Sequence, residues 1–117
     1  MKLEAIVRTL HLEVKAGVEK LDVEVKGGYC GDLLSDVMAN SREGDLWITR
    51  QIHQNIIAVA SLKDLAGIIL VKGAEPAADT LEKALKERMP LLVSDLPAFE
   101  AAGLLYRMIN PAEAKSA

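Results

Sequence analysis

Ala66-Gly67-Ile68-Ile69-Leu70-Val71-Lys72-Gly73-Ala74-Glu75-Pro76 is the stretch on which the fold turns. Its apolar run has no polar alternate, which suits a central parallel strand covered on both faces. Lys72-Gly73 ends the run. Pro76 stands where a first helical residue belongs, because its missing N–H would have no helical acceptor there. The spacing predicts a helix from Pro76 to about Arg88, with Leu81 and Leu85 inward and the Glu82/Lys86 pair outward at i, i+4. Leu91-Leu92-Val93 reads as the next buried strand, and Pro97 opens a last helix carrying Phe99, Ala102, Leu105 and Ile109. Strand, helix, strand and helix at this spacing call for right-handed βαβ crossovers and a parallel sheet.

Working back toward the amino terminus, Leu46-Trp47-Ile48-Thr49 is a short strand, followed by a helix through Ile56, Ile57, Val59, Ala60 and Leu62. Ser41-Arg42-Glu43-Gly44-Asp45 is a turn. Asp32 is placed to cap a helix over residues 33–40. Leu21, Val23 and Val25 alternate with Asp22, Glu24 and Lys26, the pattern of a strand with one wet face at a sheet edge. Gly27-Gly28-Tyr29-Cys30-Gly31 reads as the break after it. Leu3, Ile6, Val7 and Leu10 share one helix face. The expected fold class is α/β: a small, mostly parallel sheet of roughly four or five strands flanked by helices. One domain is expected over residues 1–110, with a frayed tail over 111–117.

Composition narrows the function. Of 117 residues, 50% are hydrophobic and 26% charged, ordinary globular usage. The aromatic residues are Tyr29, Trp47, Phe99 and Tyr106, so the core must be aliphatic. Lys and Arg are scattered among acidic residues with a net charge of −3, and nucleic acid is not expected as a partner. A lone Cys30 forms no internal disulfide, and no segment reaches the length of a membrane span. A cytoplasmic protein without a membrane anchor is expected.

The Ala66–Pro76 stretch, Met89-Pro90-Leu91-Leu92-Val93 and Leu96-Pro97-Ala98-Phe99-Glu100 together resemble the DRTGG domain. Gly28-Tyr29-Cys30-Gly31-Asp32-Leu33-Leu34-Ser35-Asp36-Val37-Met38, and Trp47-Ile48-Thr49 with His53-Gln54-Asn55-Ile56, are similar to a stand-alone subgroup of these proteins. The resemblance runs from about residue 20 to 109. It implies the fold of the N-terminal domain of HPr kinase/phosphorylase, itself similar to the N-terminal domain of Mur ligases. It also implies an accessory role, since DRTGG domains typically stand beside CBS pairs or phosphotransacetylase-like enzymes. Where the Thr-Gly-Gly of the name would stand, this chain has Val71-Lys72-Gly73. No phosphate-binding loop of the Gly-x-x-x-x-Gly-Lys-Ser/Thr kind occurs, so the kinase half has no counterpart.

Open parallel sheets bind ligands at the carboxyl ends of their strands. Four segments are expected there. Gly28, Tyr29, Gly31 and Asp32 form a glycine-rich turn before a helix, which serves as a structural turn or as an anion-binding loop. Thr49, Arg50, Gln51, His53 and Asn55 form the densest polar cluster, although His53 or Asn55 also suits a helix cap. Lys72 with Gly73, and Ser94 with Asp95, end the remaining strands. No catalytic residue, metal ligand or cofactor is assigned, because no Cys/His spacing suits zinc and no dinucleotide fingerprint is present.

These residues lead to a non-catalytic regulatory or ligand-binding module. It would recognise a small anionic ligand, a nucleotide or phosphorylated compound, or a partner protein such as an enzyme. One alternative is a small enzyme or transferase subunit using Cys30, His53 and Asp32 as nucleophile, base and orienting group. A second is a structural adaptor without a small-molecule site. A homo-oligomer, a dimer first, is expected through an edge of the sheet or an apolar helix face.

Overall fold

The computed structural model describes residues 1–111. Helix α1 (Leu3–Leu10) opens the chain, followed by strand β1 (Glu13–Ala16), a 3-10 turn (Val18–Lys20) and β2 (Gly27–Cys30). Then come α2 (Leu34–Asn40), β3 (Asp45–Thr49), α3 (Asn55–Leu62), β4 (Gly67–Leu70), α4 (Ala78–Glu87), β5 (Leu91–Val93) and α5 (Ala98–Ile109). The strands form one sheet in the order β1-β5-β4-β3-β2. β2 through β5 are parallel, and β1 joins β5 antiparallel. The expected α/β class and mostly parallel sheet are therefore what the chain adopts.

Side-chain alternation divides the core into two layers. Leu46, Ile48, Ile69 and Leu92 face α1 and α5, joined by Leu3, Ile6, Leu10 and Leu105. Trp47, Ile68, Leu70, Leu91 and Val93 face the opposite way, against Val37, Ile56, Ile57, Ala60 and Ala84 of α2, α3 and α4. Helices on both faces explain why β3, β4 and β5 carry no exposed alternate. Each fully buried Leu or Ile contributes about 1.5–3 kcal/mol relative to exposure, so the central strands hold the structure. Trp47 is 0% exposed, and its indole N–H donates to the Gly31 carbonyl at 2.8 Å. Its polar atom is thereby satisfied inside an aliphatic core.

Several expectations change. Leu21–Val25 is not a strand. It runs along the start of α1, where the Leu3 and Glu4 amides donate to the Val23 and Leu21 carbonyls at 3.0 and 2.8 Å. A helix start leaves such amides without intrahelical acceptors, and this segment supplies them. Gly27–Cys30, read as a break, is strand β2, and Glu13–Ala16, unassigned from the sequence, is strand β1. Asp32 does not cap α2: the cap position is Leu33, with no side-chain hydrogen bond. Pro76 stands before α4 rather than inside it, since the helix begins at Ala78. Leu85 faces outward at 56% exposure, and Thr80 and Ala84 are buried in its place. The Thr80 hydroxyl donates to the Ile52 carbonyl at 2.6 Å, which ties the inner face of α4 to the segment before α3. Phe99 is 89% exposed, while Ala101 and Leu105 carry the inner face of α5. The expected frayed tail lies, from residue 112 onward, outside the described residues.

Candidate functional site

The parallel strands deliver their carboxyl ends to one rim. Cys30, Thr49, Leu70 and Val93 are the last residues of β2, β3, β4 and β5. The loops that follow hold Gly31 and Asp32, Arg50, Gln51 and His53, Lys72 and Gly73, and Ser94 and Asp95, while Thr49 ends β3 and Asn55 opens α3. Arg42, by contrast, hydrogen-bonds at the amino end of β3, where its amide donates to Asp45 at 2.8 Å.

Asp32 ties the first two loops together. Its Oδ1 accepts from the Thr49 hydroxyl at 2.7 Å and from the Arg50 amide at 2.8 Å. The Gln51 amide donates to the Thr49 hydroxyl oxygen at 3.2 Å, and the Gln51 side-chain Nε2 donates to the Asp32 carbonyl at 3.0 Å. Thr49 is buried, so this hydroxyl is satisfied as donor and acceptor within the protein. The cluster is a brace between β2 and β3 more than an open ligand cradle. Its outward members are Arg50, His53 and Asn55, all exposed.

A second brace joins β4 and β5. The Lys72 amide donates to the Leu96 carbonyl and the Gly73 amide to the Ser94 carbonyl, both at 2.8 Å, and the Leu96 amide donates to the Ser94 hydroxyl at 3.1 Å. Lys72 and Gly73 both have left-handed backbones, φ 56° and 64°. A β-carbon at Gly73 would lie 3.4 Å from an Asp95 carboxylate oxygen, and its φ disfavours any side chain. That requirement accounts for Val71-Lys72-Gly73 keeping the last glycine of the pattern. With these amides committed, an incoming anion would meet side chains here and not a nest of free N–H groups.

The rim carries mixed charge. Arg50 and Lys72 are exposed cations, while Asp32, Glu75 and Asp95 are exposed carboxylates. Glu75 is joined to Lys15 of β1 at 3.1 Å. Tyr29 and Gly28, expected at the rim, belong to β2 itself, and the Tyr29 hydroxyl donates to Asp36 of α2. Sequence reasoning overlooked Lys15 and the Ile52 carbonyl, which accepts from both the Ala77 amide and Thr80.

Cys30 has neither a base nor an orienting partner: among the described residues no hydrogen bond joins it to His53 or Asp32. Cys30 is exposed, but partial desolvation pushes its thiol pKa up and the nearby Asp32 charge raises it further. An activated nucleophile needs the reverse shift. Among the described residues no group of three His, Cys, Asp or Glu side chains gathers as metal ligands, and no helix is long and apolar enough to cross a membrane.

No protein-family model and no curated protein matches the sequence. Among solved structures, the CBS and DRTGG domains of the regulatory region of Clostridium perfringens pyrophosphatase, complexed with the activator diadenosine tetraphosphate, are similar to it. The TM-score is 0.66 at 19% sequence identity, over 89% of this chain and 45% of that one. This chain thus spans under half the length of that regulatory region. The likeness establishes a DRTGG-like fold.

Proposed function

We propose that this chain is a cytoplasmic regulatory module of the DRTGG type that binds a small anionic ligand, a nucleotide or phosphorylated compound. The observation that carries the reading is the fold shared with a regulatory region that is complexed with a dinucleotide activator. The rim supports it in part. Arg50, His53 and Lys72 stand exposed on loops held rigid from below by Asp32, Thr49 and Ser94. A braced base under exposed charged and polar side chains suits recognition without chemistry. The raised thiol of Cys30 argues against the enzyme alternative.

Thermal shift against nucleotides, dinucleoside polyphosphates and phosphorylated metabolites tests the proposal. A ligand at a hundred times its Kd stabilises by about 2.7 kcal/mol, a readily measured rise in Tm. The expected outcome is a saturable shift that Arg50→Ala and Lys72→Ala abolish without altering the Tm of the free protein. A screen with no shift, or a shift indifferent to both variants, counts against the reading.

A further inference from the structure

The outer side of β2 is open. The Gly31 amide donates to the Ile48 carbonyl at 3.0 Å. By the two-residue alternation of a strand, Tyr29 also turns its amide and carbonyl toward β3, while Gly28 and Cys30 turn theirs outward. Among the described residues nothing pairs with those outward groups. Unpaired edges of this kind are templates for another strand.

Apolar side chains flank both faces of the same edge. On one face, Ala102, Leu105 and Ile109 of α5 bound a groove of about 330 Å³ against Gly27–Cys30. Phe99 continues that stripe one turn further along α5. On the other face, Leu33 is 68% exposed at the start of α2, and Met38 is exposed within it.

We infer that β2 pairs antiparallel with β2 of a second copy, about a two-fold axis at Tyr29. In this register Gly28 lies opposite Cys30 of the second copy, and each such pair exchanges both of its hydrogen bonds. All outward backbone groups of Gly28 and Cys30 are then satisfied. The two Tyr29 residues face each other across the axis as a non-hydrogen-bonded pair, the closest cross-strand spacing and one favourable to aromatic rings. Lys26 falls opposite Asp32 of the second copy, so opposite charges close both ends of the pairing. Sliding the register by two residues leaves Gly28 or Cys30 unpaired and separates Lys26 from Asp32. The two five-stranded sheets become one continuous sheet. The α5 helices, which pack against β2 and β3 within each copy, then border the joint on one face of that sheet.

Sedimentation velocity from low to high micromolar concentration, combined with amide exchange, tests the inference. The wild type is expected to dimerise, with the Gly28 and Cys30 amides exchanging more slowly as concentration rises. Cys30→Pro removes an outward N–H without touching the β3 ladder, and proline is tolerated at edges. It should leave a folded protein that is monomeric throughout. Lys26→Glu sets like charges opposite one another and should weaken dimerisation about fivefold at low salt, less at high salt. If Cys30→Pro does not fold, Lys26→Glu and the amide exchange still decide. A wild type that stays monomeric overturns the inference, as does a dimer indifferent to both variants. Concentration-independent protection of Gly28 and Cys30 also overturns it, because a segment of the same chain would then occupy the edge.

Discussion

The sheet has two edges, and they are finished differently. β1 carries Glu13 and Lys15 along its length, and its pairing with β5 slips between Val14 and Ala16. Lys15 is held to Glu13 at 2.6 Å and to Glu75 at 3.1 Å. Charged side chains and a register shift are the ordinary means of keeping a foreign strand off an edge. β2 has neither. It reads Gly-Gly-Tyr-Cys, its charges stand only beyond its ends at Lys26 and Asp32, and its register with β3 is regular. Two edges of one sheet therefore differ in whether they refuse a partner strand. The blunted edge belongs to the one antiparallel strand, and the open edge belongs to the parallel set that builds the rim.

The contrast can be broken most severely at the β1 side. Gly17, which follows β1, has φ 79°, and an added β-carbon would lie 2.3 Å from the Pro90 backbone nitrogen. Gly17→Ala should cost about 3 kcal/mol or more, from left-handed strain plus a backbone clash that cannot relax. Chemical denaturation should show it as a lower midpoint with β1 amides losing protection before those of β2. Retention of wild-type stability would mean that β1 is not docked as described.

At the other edge, Asp32→Ala removes the acceptor for both the Thr49 hydroxyl and the Arg50 amide. Leaving these donors unpaired should cost about 2 kcal/mol. Exchange should quicken in β2 and leave β1 unchanged. Equal loosening of both edges would mean that Asp32 does not brace β2 specifically.

Cys30 sharpens the comparison kinetically. With its pKa raised, less thiolate is present near pH 8 than in an unfolded chain, so alkylation of the native protein should be slower than in denaturant. The sign for stability follows. A folded-state pKa above the unfolded value favours folding below the ordinary thiol range, and that contribution is lost as pH rises through the folded value. If a second copy covers the edge, the alkylation rate should fall further with concentration. Native alkylation as fast as in denaturant would mean that the folded protein does not raise the Cys30 thiol.

The smallest expected effect is on the charged edge. Lys15 is solvent-screened, and the two carboxylates beside it raise its pKa. Lys15→Ala should leave the melting midpoint unchanged within error, since exposed ion pairs contribute little. Its consequence should appear in light scattering at high concentration, where a β1 edge stripped of its lysine begins to associate. A wild-type scattering profile would assign the protection of that edge to the register shift alone.

From sequence alone the α/β class, the parallel strands β3, β4 and β5 and the helix α1 could be read. Burial on both faces leaves a continuous apolar run, and a helix buried on one face leaves a 3.6-residue period; both are local and survive in one dimension. The carboxyl rim followed from that topology, so Thr49, Lys72 and Ser94 could be placed before the structure was known. Tertiary structure decided the rest. Leu21, Val23 and Val25 alternate because one side of the segment is wet, and whether a strand or a helix start lies beside it is invisible in the pattern. Gly27–Cys30 became a strand through backbone pairing with β3, to which glycine side chains contribute no signal. The Asp32–Thr49 bond spans 17 residues, and only the parallel register of β2 against β3 brings them together. Alternation reports what a residue faces. Only the assembled sheet decides which neighbour is there.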